Sequence, residues 1–193
     1  MPTSILGPYT RTIIAAALVV VTIVFCLTIR IPVHTSIEPL FDWMTASWFG
    51  YIGTTWGAAF AVVEAFHLVG LAFIGGTVVA SDGRLLGLIL TDQPPRAIID
   101  KTYRIFNWAL ILTLSTGIFM ACGVAGKIYF LKVFWYKMLT LCAGMLFEYG
   151  IRRPLLEKEL EDINPWVLKL TAVASVMVWF TVAALGRWIG YSG

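Results

Sequence analysis

The chain has 193 residues, 59% of them hydrophobic and 13% charged, with a formal net charge of +3 and a mean hydropathy of +0.84. Soluble domains average about 45–50% apolar and about 25% charged residues, so there is too little polar surface to cover a water-soluble globule. The same figures exclude disorder and a strongly basic nucleic-acid binder, and three cysteines exclude a disulfide scaffold.

What remains is a single-domain, all-α integral membrane bundle spanning residues 1–193. A spanning helix needs about 20 mostly apolar residues, because lipid cannot hydrogen-bond an open backbone. Five segments qualify. The first covers about residues 11–30 between Arg11 and Arg30, and without a small-x-small cleavage site after it, it reads as an uncleaved anchor. Residues 35–50 follow, with Ile37, Leu40, Phe41, Met44 and Trp48 at helical spacing, as expected for an amphipathic helix lying in the outer interface with Glu38 and Asp42 toward water. The second span covers about 52–80 and ends at Ser81-Asp82-Gly83. The third, about 105–125, is entered through Pro94-Pro95 and a mixed-charge stretch. The fourth covers about 128–149. The charged stretch Arg152 to Asp162 reads as a solvated connector, and Asn164-Pro165 opens the fifth span, about 166–189.

Basic residues set the orientation. With the N-terminus inside, Arg11, Arg84, Arg96, Lys101, Arg104, Arg152, Arg153, Lys158 and Lys169 gather on the cytoplasmic side. Arg30, Lys127, Lys132, Lys137 and Arg187 lie outside or in the outer parts of helices, which favours N-in and C-out. Trp43, Trp48, Trp56 and Trp188 then form most of an outer aromatic belt.

The second span carries the chemistry. At 100° per residue Gly53, Gly57, Phe60, Glu64, His67 and Leu71 share one face. Gly53-x-x-x-Gly57, continued by Ala61 and Ala65, is a small-residue ladder for close helix approach. Counted at about 1.5 Å per residue, Glu64 lies about 18 Å and His67 about 22 Å below an outer boundary near Ile52, and Lys137 about 13 Å down the fourth span. A lone intramembrane charge costs at least about 2.5–3.5 kcal/mol and marks a functional candidate, so Glu64 and Lys137 are expected to pair, either as an interhelical clamp or as part of a site.

Glu64-x-x-His67 has the spacing used in di-metal carboxylate bundles, but those need a second such motif, and Glu148 falls at the cytoplasmic edge. A buried His facing a bundle core suits a b-type haem. His34 is about 22 Å from that level, which disfavours a bis-His site. The sixth ligand is left open among Met145, Met177, Lys137 and none, and each Met alone reads as packing. Arg187 either snorkels or meets a haem propionate. Cys26 and Cys122 both lie near the outer side, where a bridge is open, with free buried thiols the default.

Four stretches in order, Glu64-Ala65-Phe66-His67-Leu68-Val69-Gly70, Asp82-Gly83-Arg84-Leu85-Leu86-Gly87, Phe130-Leu131-Lys132-Val133-Phe134-Trp135-Tyr136-Lys137-Met138-Leu139 and Ala184-Leu185-Gly186-Arg187-Trp188-Ile189, resemble a bacterial integral-membrane family of unknown function. More distantly, His67 to Gly76 followed by Lys137 to Leu139 is similar to the copper-resistance D membrane domain and to the membrane-type protoporphyrinogen oxidase. The latter resemblance implies His67 as an axial haem ligand and Lys137 as its companion. The oxidase's aromatic-Leu-Pro-Arg segment is replaced here by Val78 to Arg84, so oxidase activity itself is not implied.

The expectation is a bacterial inner-membrane subunit of a larger redox or respiratory complex, binding b-type haem or a quinone through His67, with the lipid bilayer and other membrane subunits as partners and no nucleic acid. Its rivals are a cofactor-free accessory or assembly subunit and, more weakly, a proton or metal-ion permease. The permease lacks the inverted repeats and paired interrupted helices of transporters.

Overall fold

The computed structural model describes residues 32–191, with side chains from Ile37 onward. The expected first span, with Cys26, therefore lies outside the described residues, and so does the side chain of His34. The described chain is helical, without strands. Its elements are α1 (Pro32–Ala46), α2 (Trp48–Thr55), α3 (Gly57–Leu85), α4 (Pro95–Gly123), a single turn α5 (Ala125–Ile128), α6 (Lys132–Phe147), a π-turn (Glu148–Arg152), α7 (Arg153–Leu156), a 3-10 turn (Leu160–Asp162) and α8 (Pro165–Ile189).

The expected interfacial helix is two helices. Ser47 breaks it and caps α2 by accepting the Gly50 N–H at 3.1 Å, as a serine N-cap should. Phe41 is buried against Tyr129, Phe134 and Trp135, with Ile37 and Met44 beside it. Leu40 and Trp48, expected on the same face, are exposed. Glu38 and Asp42 are exposed as expected.

Three helices, α3, α4 and α8, are long and apolar enough to cross a membrane. The second span starts later than its hydropathy suggests, at Gly57, because Trp56 leaves helical geometry (φ −111°, ψ 81°), and it runs on to Leu85. The third starts ten residues early, at Pro95, where a proline suits the first helical turn. Arg96 there donates to the carbonyls of Leu156, Glu157 and Lys158, tying α4 to the end of α7. The fourth expected span is the 16-residue α6 continued through the π-turn into α7. The fifth begins where Asn164 accepts from Trp166 N–H at 2.9 Å.

The most extensive packing joins α3 to α4, and α8 closes the bundle against α6 and α3. The core between them is Ile74 and Val78, Phe106, Ala109 and Leu110, and Trp179 and Val182. Small residues set the closest approaches. Gly53 meets Gly123 backbone to backbone, and a Cβ at Gly70 would collide with Thr113 Oγ1. Gly57 meets nothing, and Ala61 and Ala65 are exposed, so the expected ladder stops at Gly53.

Phe66, Phe73, Val79, Ile111 and Phe180 point outward and exposed. So much apolar surface would associate in water and suits lipid. Trp43, Trp48, Trp56 and Trp188 are also exposed.

Candidate functional site

The buried residues of α3 are His67, Gly70, Ile74, Thr77, Val78, Ser81 and Asp82. Their three- and four-residue spacing places them on one stripe of the helix. Glu64 lies about 60° from His67 at 100° per residue, at the margin of that stripe, and its side chain is exposed. The shared face expected for Glu64 and His67 is thus split, and among the described residues no ion pair joins Glu64 to Lys137.

The first polar centre surrounds His67. Its Nδ1 lies 2.9 Å from Thr116 Oγ1, and the Thr116 hydroxyl donates its single proton to the Leu112 carbonyl at 2.7 Å. With that proton on the carbonyl, the Thr116 oxygen would accept from His67 Nδ1–H and leave a lone pair on Nε2, whereas in the other tautomer Nδ1 would be the acceptor. Gly117 makes room for the ring, because a Cβ there would sit 3.2 Å from His67 Cε1. Lys137 of α6 is the charged side chain whose field reaches this ring, and its chain lies against Gly186 of α8, where a Cβ would be 3.5 Å from Nζ.

This centre is shallower than the count from Ile52 suggests. The break at Trp56 redirects the chain, and His67 packs beside Gly117, about 9 Å along α4 from the Gly53–Gly123 crossing. Lys137 is about 8 Å from the start of α6 at Lys132.

The remaining expected ligands are elsewhere. Met145 packs on the core cluster, about 12 Å along α6 from Lys137, and Met177 is 64% exposed. Arg187 donates to Tyr191 Oη at 2.9 Å and stacks over its ring. Cys122 is a buried free thiol and Cys142 an exposed one. Among the described residues no three His, Cys, Asp or Glu side chains converge as a metal site.

A second polar centre lies about 22 Å farther along α3. Asp82 is fully buried, Glu148 is 1% exposed and Arg152 is 6% exposed. Arg152 donates from Nη2 at 2.7 Å and Nε at 3.2 Å to Asp82 Oδ1. It also donates from Nη1 at 2.8 Å to Glu148 Oε1 and from Nη2 at 2.8 Å to Ser81 Oγ. Burial works against the Arg152 charge, and the acidic side chains of Asp82 and Glu148 compensate for it. Ser175 of α8 lies alongside Asp82.

The arginine expected on the solvated rim and the glutamate expected at the edge are thus both interior. The π-turn that carries them is a helical irregularity frequent at functional sites. Their i,i+4 spacing was the available signal; Asp82 gave none, because it reads as part of a span-ending break.

Between the centres, Thr113 Oγ1, Trp179 Nε1 and Ser175 Oγ are buried without a hydrogen-bond partner of good geometry among the described residues. Buried polar atoms ordinarily find partners, so these three are the polar groups that the packing of the bundle leaves over.

The fold and its two centres define an all-helical protein with three helices able to cross a membrane and ionisable groups enclosed between them. Residues 40–192 match a family of unknown function, DUF6644, and the chain belongs to it. No curated protein and no solved structure matched.

Proposed function

We propose that this chain is a multi-pass subunit of a larger redox complex in a bacterial inner membrane, with five spans, N-in and C-out, holding a b-type haem at His67. The observation that carries the reading is the buried His67 ring, whose Nδ1 is held 2.9 Å from Thr116 Oγ1, an arrangement in which donation from Nδ1–H leaves Nε2 a lone pair. Metal-ligating histidines are oriented this way by a partner on the other ring nitrogen. Because a porphyrin brings its own four nitrogens, such a site needs only one or two protein ligands, so it does not require a cluster of ligating side chains. Gly117 and Gly186 let the His67 ring and the Lys137 chain pack closely on α4 and α8, and the Lys137 amine would be the second side chain to help hold the haem. When bound, the haem supplies one-electron transfer.

Membership of a complex is supported by Glu64. It is exposed on a helix long and apolar enough to span, with no hydrogen-bond or ion-pair partner among the described residues. A carboxylate so placed costs at least about 2.5–3.5 kcal/mol, which a polar group on a neighbouring subunit, or on the expected first span of this chain, would offset.

The test is titration of the detergent-solubilised, haem-stripped chain with ferric haem, followed through the Soret band. Saturable binding that disappears in folded His67→Ala supports the reading. Equal binding by His67→Ala, or no binding by the wild-type chain, overturns it.

A further inference from the structure

We infer that Glu148 is a proton-binding site, carrying an exchangeable proton on Oε2 beside a cleft large enough for one water. The inference stands on the second polar centre alone and is independent of the haem reading.

Charge counting comes first. Two carboxylates, Asp82 and Glu148, share the single guanidinium of Arg152 in a centre from which water is nearly excluded. The next cation, Arg153, is directed outward, to Glu157 at 3.2 Å and Asp100 at 3.7 Å, and lies over the Tyr103 ring at 4.0 Å. Fully ionised, the centre would hold one uncompensated negative charge, and such a buried charge is neutralised by protonation before it is tolerated.

Hydrogen bonding then says which carboxylate takes the proton. Asp82 Oδ1 receives two N–H groups of Arg152, whereas Glu148 Oε1 receives one. Charge-assisted bonds favour the ionised form of the group that accepts more of them, so Asp82 is the carboxylate and Glu148 the acid. Asp82 Oδ2 and Glu148 Oε2 are both buried with no partner among the described residues, but of the two acids Glu148 is the one that lines a cleft where a proton could be exchanged.

Glu148 also lines a cleft of about 10 Å³ with Thr77, Ser81, Thr102, Tyr103 and Arg152. A cavity of about 10–15 Å³ holds one water if polar groups surround it. A water there would accept the Glu148 O–H and be held by the Thr and Tyr hydroxyls.

The groups facing Glu148 are accounted for on every side. They are Asp82, Ser81 and Thr77 from α3, Tyr103 and Thr102 from α4, Arg152 from its own turn, Arg153 from α7 and, across Asp82, Ser175 from α8. Neighbouring Tyr149 is engaged with Asn107 Oδ1 at 2.7 Å. Proton exchange is with water alone: as pH rises the Glu148 O–H bond breaks and its proton leaves as hydronium.

The test is infrared spectroscopy of the full chain in lipid nanodiscs, in a Glu64→Gln background that removes the other glutamate on a long apolar helix. The expected result is a protonated-carboxyl C=O band at neutral pH that shifts in D2O. The band should shift with 13C-labelled glutamate but not with 13C-labelled aspartate, and should be lost on adding Glu148→Gln. Should Glu148→Gln fail to fold, the two labels decide on their own. No such band, as for a centre balanced by a bound metal cation, or a band that follows labelled aspartate, overturns the proposal.

Discussion

Replacing Arg152 with methionine is the sharpest perturbation of the bundle. The guanidinium makes four hydrogen bonds, to Asp82, Glu148 and Ser81, between 2.7 and 3.2 Å. Arg152→Met keeps most of the side-chain volume but strands the buried Asp82 carboxylate and leaves the Glu148 carboxyl without its donor. Breaking a buried pair by removing one partner costs about 3–5 kcal/mol, because the charge left behind is unpaired. At roughly 2–4 °C per kcal/mol for a chain of this size, the apparent Tm should fall by about 6–20 °C. The triple variant Asp82→Asn/Glu148→Gln/Arg152→Met should recover most of that loss, since replacing a whole buried ion cluster is often neutral. Thermal unfolding in one detergent at a fixed scan rate is the assay. An Arg152→Met protein that melts within about 1 kcal/mol of wild type, the range of an exposed pair, would refute the reading of this centre as enclosed.

Four further outcomes are expected. Glu157→Gln, which removes the half-exposed Arg153–Glu157 pair, should move stability by no more than about 1 kcal/mol in the same melt. Gly70→Ala should cost about 1–3 kcal/mol because its Cβ runs into Thr113. Gly75→Ala, which meets nothing, should be neutral or stabilise by up to about 1 kcal/mol. Thr116→Val should weaken haem binding by about 10–100-fold in the Soret titration, and Thr116→Ser should restore it.

The helices were more legible in the sequence than the faces they bury. Long apolar runs fix where α3, α4 and α8 lie, because backbone satisfaction in lipid depends on length and composition. They did not fix the ends. Local backbone geometry at Trp56 delays α3, and Pro95 starts α4 in a charged stretch that hydropathy alone discounts. On a helix apolar nearly all round, the buried stripe is chosen by its neighbours. His67 was placed inside correctly, whereas Glu64, only three residues away, was not: it stands at the same helical angle as buried Asp82, and what packs against each level of the helix decides which is covered. Asp82, Glu148 and Arg152 come from distant parts of the chain, and their convergence depends on how α3 meets the π-turn. Basic residues near helix ends ordinarily mark the membrane rim, and nothing local separates Arg152, which turns inward, from Arg153, which turns outward.

The central claim, that His67 holds a haem, is tested most directly by a pyridine haemochrome spectrum of the chain purified from its native membrane without added cofactor. The account predicts a b-type spectrum at a near-stoichiometric ratio of haem to protein. Folded protein without haem would contradict it.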